Sequence, residues 1–261
     1  MLELKAVSKT FNIGTINEKK AIVDLDLHLA RGDFATVIGG NGAGKSTMLN
    51  AIAGVWPIDA GQVLIDGQDV TGLPEYRRAA LIGRVFQDPM MGTAPDMQIE
   101  ENLALAARRG KRRGLRWGVT AGERDNYRDL LATLGLGLED RMTAKVGLLS
   151  GGQRQALTLL MAALQNPKLL LLDEHTAALD PATAEKVLEL SDRIVGETGL
   201  TALMITHNMA DALRHGNRLI MMNQGRIVFD VSGEEKKKLT RRDLLDAFAK
   251  VRDETDSVLL S

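Results

Sequence analysis

The sequence Gly39-Gly40-Asn41-Gly42-Ala43-Gly44-Lys45-Ser46-Thr47 decides the fold of this chain. It follows the apolar run Phe34-Ala35-Thr36-Val37-Ile38 and leads into a segment with helical character that ends near Ala53. A strand, a loop and a helix in this order are the context that the P-loop motif requires. The fixed positions of that motif are filled by Gly39, Gly44, Lys45 and Ser46. The stretch therefore predicts a phosphate-binding loop, and the alternative is a glycine-rich turn that holds no ligand.

The residue types in this loop suit a triphosphate and a divalent cation. Glycines let the backbone curl so that successive N–H groups face phosphate oxygens, and the following helix directs its positive N-terminal end at the same place. Lys45 is expected to reach the β- and γ-phosphates, and the Ser46 hydroxyl is expected to bind Mg²⁺. The predicted nucleotide-binding residues of the loop are Gly39, Asn41, Gly42, Ala43, Gly44, Lys45, Ser46 and Thr47.

Composition and charge exclude several classes of protein. The 261 residues carry a formal net charge of -1, which argues against bulk attraction to nucleic acid or to anionic lipid. There are no cysteines, so disulfides, thiolate zinc sites and cysteine catalysis are excluded. The N-terminus has no apolar secretory core, and no apolar run approaches the roughly 18 residues that span a bilayer. Any link to a membrane is therefore expected to run through a partner.

Strands that alternate with helices over most of the chain predict an α/β fold with a largely parallel sheet covered on both faces. An irregular segment after Gln87 interrupts this pattern and leads into helices expected at about 99–109 and 121–134. We therefore expect a helical segment to be inserted into the α/β pattern.

The resulting domain organisation is a single domain with an insertion. We interpret residues 1–87 and 166–235 as a nucleotide-binding core with a β subdomain, and residues 88–165 as a helical subdomain. Residues 236–261 are expected to form a C-terminal helix, at about 240–251, and a frayed tail.

Two acids follow a strand that is apolar throughout. Leu169-Leu170-Leu171-Leu172 is typical of a strand buried on both faces, and Asp173-Glu174 come directly after it. An acid at the end of a parallel strand beside a P-loop can hold Mg²⁺ directly or through water, and we assign this role to Asp173. Glu174 lies one residue further on, where a carboxylate can orient and deprotonate an attacking water. The alternative is that both acids only end the strand.

Leu149-Ser150-Gly151-Gly152-Gln153 indicates a second anion site. A serine and two glycines before a helix, expected over Gln153 to Gln165, offer one hydroxyl and bare backbone amides. By itself the pattern also fits a simple capped helix start. Because it lies in another subdomain and far along the chain from the P-loop, we expect it not to serve the same phosphate in the same chain.

Phe11 and a basic stretch each allow two interpretations. Phe11 lies in a polar, glycine-containing stretch predicted as a loop, and it is either a core residue or a platform for an adenine ring. The basic stretch from Arg108 to Trp117 suggests a nucleic-acid or lipid-headgroup surface, although such a run is more often a solvated loop. With balanced charge elsewhere, the solvated loop is favoured and no nucleic-acid partner is predicted.

The order of these motifs resembles that of the ATP-binding cassette (ABC) ATPases. The matching elements are Gly39 to Thr47, Gln87, Leu149 to Gln153, Leu169 to Glu174, Ala178-Leu179-Asp180 and His207. The resemblance extends from Leu2 to about Val231, and its Leu-Ser-Gly-Gly-Gln signature is more diagnostic than a P-loop alone. It implies a P-loop NTPase core, an N-terminal antiparallel β subdomain and an inserted helical subdomain, with ATP and Mg²⁺ as ligands and ATP hydrolysis as the reaction.

The resemblance also implies roles for individual residues. Phe11 falls where the family stacks adenine, and Gln87 looks like the loop glutamine that touches Mg²⁺ and senses the γ-phosphate. His207 looks like the switch histidine at the γ-phosphate, with a structural histidine as the alternative. The residues expected to clamp the nucleotide or to cross a dimer interface are Ser150, Gly151, Gly152, Gln153 and Asp180. Since one chain holds half of each ATP site, the resemblance implies a head-to-tail homodimer in the ATP-bound state.

One position departs from the family pattern, because His175 follows Asp173-Glu174 where the family usually has proline. The loss of proline's fixed φ leaves the rigidity of the turn before Asp180 open. The sequence 173–180 resembles a bacterial subgroup whose companions are a membrane permease and an extracellular or periplasmic solute-binding protein. It implies the energising subunit of an importer of a small organic solute such as an amino acid, peripheral at the cytoplasmic face of the plasma membrane. The alternative is a soluble ABC ATPase of iron-sulfur cluster assembly.

Overall fold

The computed structural model describes residues 1–111 and 118–259. Its strands are β1 (Leu2–Phe11), β2 (Lys19–Leu29), β3 (Phe34–Gly39), β4 (Ala60–Ile65), β5 (Gln68–Asp69), β6 (Ile82–Val85), β7 (Leu169–Asp173), β8 (Thr201–Ile205), β9 (Arg218–Asn223) and β10 (Arg226–Ser232). Its helices are α1 (Lys45–Ala53), α2 (Glu75–Arg78), α3 (Ile99–Ala107), α4 (Ala121–Ala132), α5 (Gly151–Ala163), α6 (Pro181–Thr198), α7 (Met209–Arg214), α8 (Gly233–Lys238) and α9 (Arg241–Leu259). Most of the predicted basic loop, Arg112 to Trp117, lies outside the described residues.

The chain divides into two compact units. The first contains Met1–Glu75 and Thr201–Ser261, and the second contains Tyr76–Leu200. The segment interpreted as a helical insertion, residues 88–165, falls within the sequence range of the second unit. The subdomain boundaries given above remain predictions.

The first unit contains an antiparallel sheet in the strand order β2-β1-β4-β5. Leu4 of β1 lies opposite Leu27 of β2 on one side and Val63 of β4 on the other. In β2 the leucines at 25, 27 and 29 are buried, while the polar residues between them are exposed. This is the pattern of a sheet with one face in the core, and the expected N-terminal antiparallel β subdomain is confirmed.

A second group of strands in the same unit is mainly parallel. Strand β3 runs parallel to β8 and to β9, and β9 forms an antiparallel hairpin with β10. All residues of β3 from Phe34 to Ile38 are buried, as expected for a central parallel strand. Ile38 packs in a core with residues of β9, β10, α7 and α9, namely Leu219, Met221, Val231, Ala212 and Leu244. The last buried residue before the P-loop, Ile38, is therefore anchored in this core.

The second unit combines a parallel strand pair with helices. Strands β6 and β7 pair in parallel, and helix α5 packs so closely on β6 that a Cβ on Gly83 would lie 2.4 Å from Ala162 O. Helices α3 and α4 are joined by an ion pair in which the Arg124 guanidinium contacts Glu100 with two hydrogen bonds of 2.6 and 2.7 Å. The predicted combination of a parallel sheet with additional helices is confirmed.

Several predicted helix boundaries are wrong. Helices α3, α4 and α5 each end two residues earlier than expected, at Ala107, Ala132 and Ala163. Helix α5 begins at Gly151, two residues earlier than expected, because Ser150 is its N-cap. Helix α9 continues to Leu259, so the tail predicted to fray after 252 is helical up to that residue. The sequence beyond Val251 contains no glycine or proline that would end a helix. Within residues 1–111 and 118–259, no helix combines the length and apolar character needed to cross a bilayer.

Candidate functional site

The P-loop stretch connects β3 to α1, as predicted. Gly44 is the N-cap of α1 and has no side chain to cap the helix. The N–H groups of a first helical turn have no intrahelical partners and suit an anion. Lys45 begins α1, and its Nζ donates to Gly39 O at 2.8 Å and to Gly40 O at 3.2 Å. The ammonium group therefore lies over the loop's own carbonyls, at the place where phosphate is expected.

Two glycines of the loop occupy positions that leave no room for a side chain. Gly44 has a φ of 101°, and a Cβ there would lie 2.4 Å from Ala21 O. A Cβ on Gly39 would lie 2.4 Å from Met222 O. The loop backbone is thus packed tightly against β2 and β9 on one side. The Ser46 side, which is exposed, remains accessible to a ligand.

His207 lies at the same sheet edge as the P-loop. Strands β3 and β8 are parallel, with Val37 opposite Ile205, and the Thr206 N–H donates to Val37 O at 3.1 Å. His207 follows at once and is exposed. Because parallel strands end at a common edge, the first unit brings its P-loop and His207 to one carboxyl edge. A contact between His207 and the γ-phosphate stays a prediction.

Phe11 is the last residue of β1 rather than part of a loop, so the predicted loop assignment is wrong. Its ring is half-buried and packs edge-on against Trp56, with 4.9 Å between ring centroids, while Lys9 Nζ lies 5.5 Å from its centre. Phe11 pairs with Lys19, whose Nζ lies 3.3 Å from the place a Cβ on Gly42 would take. The end of β1 therefore adjoins the P-loop, and adenine stacking on Phe11 remains a prediction.

The second unit brings Gln87, Asp173 and Glu174 to one end of a strand pair. Strands β6 and β7 run parallel, with Val85 opposite Leu172. Gln87 lies two residues beyond the end of β6, whereas Asp173 ends β7 and Glu174 follows it. Gln87 is exposed and both acids are half-buried. A glutamine and two carboxylates therefore share the carboxyl end of this strand pair, and their predicted roles stay predictions.

Arg84 is a residue of this group that the sequence interpretation missed. Its Nη2 lies 3.3 Å from Asp173 Oδ2, and its guanidinium stacks 4.6 Å from the Phe86 ring centre. The side chains of Arg84 and Asp173 are 13% and 17% exposed, so the pair is largely shielded from water. Arg84 thus orients the carboxylate assigned to Mg²⁺. A single charge inside the otherwise apolar β6 is the sequence signal that could have identified it.

Glu174 has an unusual backbone conformation. Its φ is 46°, in the left-handed region that residues with a Cβ rarely adopt. Such a conformation costs about 1–3 kcal/mol and persists only where the surroundings hold it. The Ala177 N–H donates to Glu174 O at 3.0 Å, so a tight turn begins at this residue. The backbone at the proposed general base is therefore held away from its preferred conformation.

The Ser-Gly-Gly-Gln sequence forms a capped helix start. The Gln153 N–H donates to Ser150 Oγ and the Ser150 N–H donates to Gln153 Oε1, both at 3.2 Å, which is a reciprocal capping box. Gln153 Nε2 also donates to Leu136 O at 3.4 Å. Ser150 is exposed, and because its Oγ accepts a hydrogen bond here, its proton remains available for a phosphate oxygen. The capping interpretation and the anion-site interpretation are therefore compatible.

The glycines of this sequence pack against the start of α6. A Cβ on Gly152 would lie 2.2 Å from Thr183 Cγ2, and one on Gly151 would lie 3.3 Å from Leu179 Cδ2. Asp180 is the N-cap of α6 and accepts from the Thr183 N–H at 3.1 Å. Hydrogen bonding to the Thr183 side chain and backbone holds the pKa of Asp180 below its usual value. The second unit thus brings the signature and Asp180 together through Thr183.

In the described part of the chain, the acidic residues do not form a protein-only metal site. Within the described residues, no three or more His, Asp or Glu side chains are grouped to hold a metal ion. Mg²⁺ at phosphoryl-transfer sites binds one or two protein oxygens and completes its shell with phosphates and water. The predicted ligands are Ser46 in the first unit and Gln87 and Asp173 in the second. Hydroxyl, amide and carboxylate oxygens suit Mg²⁺, so each predicted ligand has the chemistry for an ion that arrives with the nucleotide.

A P-loop, an acidic strand end and a histidine at a sheet edge define the class of P-loop nucleoside triphosphatases. The family model "ABC transporter" matches residues 22–177, more than half of the chain. The chain therefore belongs to the ABC transporter family.

Two curated relatives show how far the similarity extends. A tyrosine transport ATP-binding protein of Clostridioides difficile (strain R20291) is 44% identical over 95% of this chain and 98% of its own length. A spermidine/putrescine import ATP-binding protein of Haemophilus influenzae is 32% identical over 90% of this chain, which spans 59% of that longer protein. Both are the ATP-binding proteins of transport systems. The family favours a transporter subunit over the soluble cofactor-assembly ATPase.

A solved structure supports the same conclusion about fold and reaction. A dimeric ATP-binding cassette in a post-hydrolysis state, bound to ADP and Pi, superposes with a TM-score of 0.74. It is 32% identical, and the match covers 89% of this chain and 98% of that one. This chain is an ATP-binding subunit of an ABC transporter, and it hydrolyses ATP in a reaction coupled to transport.

Proposed function

We propose that this chain energises the import of a small organic solute, such as an amino acid, as a head-to-tail homodimer attached to a membrane permease. The exposed capping box at Ser150 carries the shared-site part of the proposal, because its helix start suits an anion and lies far along the chain from the P-loop. The tyrosine transport relative, at 44% identity, supports the solute class. A solute-binding protein outside the cell would contact the permease, and this chain would stay peripheral at the cytoplasmic face.

Dimerisation follows from symmetry. Each copy offers one P-loop and one Ser150 helix start, so a two-fold axis would complete two identical sites. In each site the triphosphate lies between the P-loop of one copy and the Ser-Gly-Gly sequence of the other. The N–H groups of both helix starts then share the phosphate charge, and the contact lasts only while that charge is present. The dimeric cassette that resembles this chain supports this arrangement.

Within each site, the residues divide the chemistry. Lys45 and the N–H groups of the P-loop bind the β- and γ-phosphates, and Phe11 stacks on adenine. Ser46, Gln87 and Asp173 hold Mg²⁺, which neutralises phosphate charge when it is bound. Glu174 orients the attacking water and accepts its proton, while His207 contacts the γ-phosphate. Arg84 keeps the Asp173 carboxylate in place through its 3.3 Å contact.

The variant Glu174→Gln tests the assigned base and the dimer together. Glutamine keeps the shape and still orients water, but it cannot take the proton. We expect ATP affinity close to wild type, a loss of turnover of about 10²- to 10⁴-fold, and an ATP-dependent dimer in multi-angle light scattering. The matched control is Glu197→Gln, an exposed glutamate on α6, which should behave as wild type.

Two results would contradict this proposal. Full turnover in Glu174→Gln would show that Glu174 is not the general base. If the ATP-loaded variant stays monomeric, the proposal of a shared site is wrong, because Ser150 would then have no nucleotide on a second copy to contact.

The loop between β6 and α3 is the proposed docking site for a permease helix. Asn102, which is 1% exposed, holds this loop in place, accepting from the Ala94 N–H at 2.8 Å and donating to Ala94 O at 3.1 Å. On the loop so fixed, Met90 and Met91 are 39% and 70% exposed. Flexible apolar side chains on an ordered loop suit the packing of a partner helix.

Placing negative charge on this apolar surface tests the docking site. The double variant Met90→Glu/Met91→Glu should fold and bind ATP normally but lose co-purification with the permease, because burying two carboxylates at the contact is costly. Ile16→Glu, at a fully exposed isoleucine of the first unit, is the matched control. Unchanged co-purification of the double variant would exclude this docking site.

Transport assays decide the solute and the direction. The purified complex of this chain with its permease, reconstituted in vesicles with ATP on the side of this chain, should accumulate a labelled amino acid on that side. Tyrosine is the first solute to test. Accumulation on the opposite side would exclude import, and failure of every amino acid would exclude the proposed solute class.

A further inference from the structure

The residue after the proposed base is buried in a hydrogen-bonded position. His175 is 2% exposed, and its Nε2 lies 3.0 Å from Ser191 Oγ, which is itself fully buried on α6. Ser191 Oγ donates its single proton to Val187 O at 2.8 Å. Since a hydroxyl carries one proton, Ser191 accepts from His175, which assigns the hydrogen to Nε2. The sequence alone left the role of His175 undefined.

This contact connects the acidic strand end to the middle of α6. Glu174 immediately precedes His175 and has the left-handed φ of 46°. A residue with a Cβ stays in that region only where neighbouring contacts determine the conformation. The buried imidazole is joined to Glu174 by one peptide bond, so fixing the ring on α6 also limits rotation at Glu174.

The far end of the same turn is attached to the same helix. Asp180 caps α6 through the Thr183 N–H, and the Thr183 methyl fills the space beside Gly152. The segment from Glu174 to Asp180 is thus held to α6 at both ends, by Ser191 and by the cap. Proline would restrict such a turn through its φ, whereas here a side-chain hydrogen bond supplies the restraint.

From these contacts we infer that His175 is a positioning residue for ATP turnover. Its Nε2–H, accepted by Ser191, holds the Glu174 carboxylate and the turn to Asp180 in the geometry that hydrolysis needs. This inference rests on the proposed role of Glu174. It assigns no direct contact between His175 and the nucleotide.

The test compares variants of both partners in the ATPase reaction. His175→Leu and Ser191→Ala each remove the hydrogen bond and should lower kcat by about ten- to a hundredfold, as misplacement of a reacting group does. KM for ATP should stay within about twofold, because the P-loop in the other unit is unchanged. His175→Gln, whose Nε2 can reach the same acceptor, should recover most of the turnover. The double variant His175→Leu/Ser191→Ala should lose no more than either single variant.

Controls separate positioning from general damage to the fold. Thr158→Val removes a buried hydroxyl that donates to the carbonyl four residues earlier on α5, as Ser191 does on α6, and it should keep wild-type kcat. Thermal unfolding gives the folded fraction for each variant. If His175→Leu does not fold, Ser191→Ala and His175→Gln still give the answer, because both retain a polar or small side chain at the buried site.

The outcomes distinguish this inference from the proposed function. Wild-type kcat in Ser191→Ala and His175→Leu, with Glu174→Gln inactive, would overturn the positioning role alone. A fully active Glu174→Gln would overturn the assigned base instead. Nitrogen-15 NMR of the imidazole gives a readout independent of activity, and a hydrogen on Nδ1 rather than Nε2 of His175 would also overturn the inference.

Discussion

Gln155 Nε2 donates to Phe86 O at 3.2 Å, which joins the helix that begins with the signature to the residue before Gln87. Gln155 is fully buried, and its Oε1 has no hydrogen-bond partner within the part of the chain that the structure describes. Burying an amide oxygen without a hydrogen-bond donor destabilises the folded state, so a glutamine at this position needs an explanation. The bond from its Nε2 to Phe86 O provides one. The bond thus ties the signature helix to the segment that leads to Gln87 within the second unit.

Gln155→Met should uncouple these two segments. It removes the donor to Phe86 O, yet it also removes the buried, unpartnered Oε1, so the unfolding free energy should fall by only about 1 kcal/mol. ATP turnover should fall more than stability does, by about tenfold. Steady-state ATPase rates and urea unfolding measure the two effects. Gln165→Met, at a half-buried position just beyond α5, is the control, and equal kcat in both variants would exclude the coupling.

Lys45→Met should abolish tight nucleotide binding. The ammonium group lies at 2.8 and 3.2 Å from two P-loop carbonyls, at the start of α1, where phosphate is expected. Loss of a charge-assisted contact of this kind lowers ATP affinity by about a hundredfold. Fluorescent-nucleotide titration measures the change. Lys20→Met, at an exposed position of β2, should bind as wild type, and normal affinity in Lys45→Met would refute the assignment.

Gly152→Ala separates packing from phosphate contact in the signature. The new Cβ would lie 2.2 Å from Thr183 Cγ2, so we expect a loss of about 1–3 kcal/mol in the free energy of unfolding. Thr183→Ser deletes that methyl group, and the double variant Gly152→Ala/Thr183→Ser should regain most of the stability. Denaturant unfolding tests this directly. If the double variant regains stability but not ATPase turnover, the bare glycine amide is needed for phosphate contact as well as for packing.

The ion pair between α3 and α4 predicts a pH-dependent part of the stability. Hydrogen bonding to Arg124, with its nearby charge, holds the pKa of the Glu100 carboxyl below the usual 4.5. A lowered carboxyl pKa stabilises the fold at pH values above 4.5, and this contribution is lost as the pH falls through the folded-state pKa. Glu100→Gln should therefore lose about 1.5–3 kcal/mol at pH 7.

The matched control for this ion pair is Asp125→Asn. Asp125 and Arg128 form an exposed contact of 3.4 Å one helical turn apart, which contributes about 0.5 kcal/mol or less. Unfolding of both variants at pH 7 and pH 3.5 measures the difference. The difference in the free energy of unfolding between wild type and Glu100→Gln should be smaller at pH 3.5 than at pH 7. An equal difference at both pH values would contradict the ion pair as its cause.

Local sequence predicted the elements that carry the candidate site, because each of them is local. The P-loop, the capping box at Ser150 and the acids after β7 each depend on residues within one turn or one strand end, and the structure forms each as a strand–loop–helix or helix cap. Phe11 shows where this failed, since its polar, glycine-containing neighbourhood predicted a loop. Pairing with Lys19 places it in β1 instead, and strand pairing is a contact between distant segments.

The amino-acid sequence by itself determined the family, the P-loop, the capped helix start at Ser150 and the alternation of strands and helices, because these depend on residue types at fixed short spacings. Only the tertiary structure decided the contacts of Arg84 with Asp173, Gln155 with Phe86 and His175 with Ser191. Each joins residues 16 to 89 positions apart, so no local pattern indicates the partner. A buried polar group needs a hydrogen-bond partner, and the packing of strands against helices decides which partner lies within reach. That packing exists only in the folded chain.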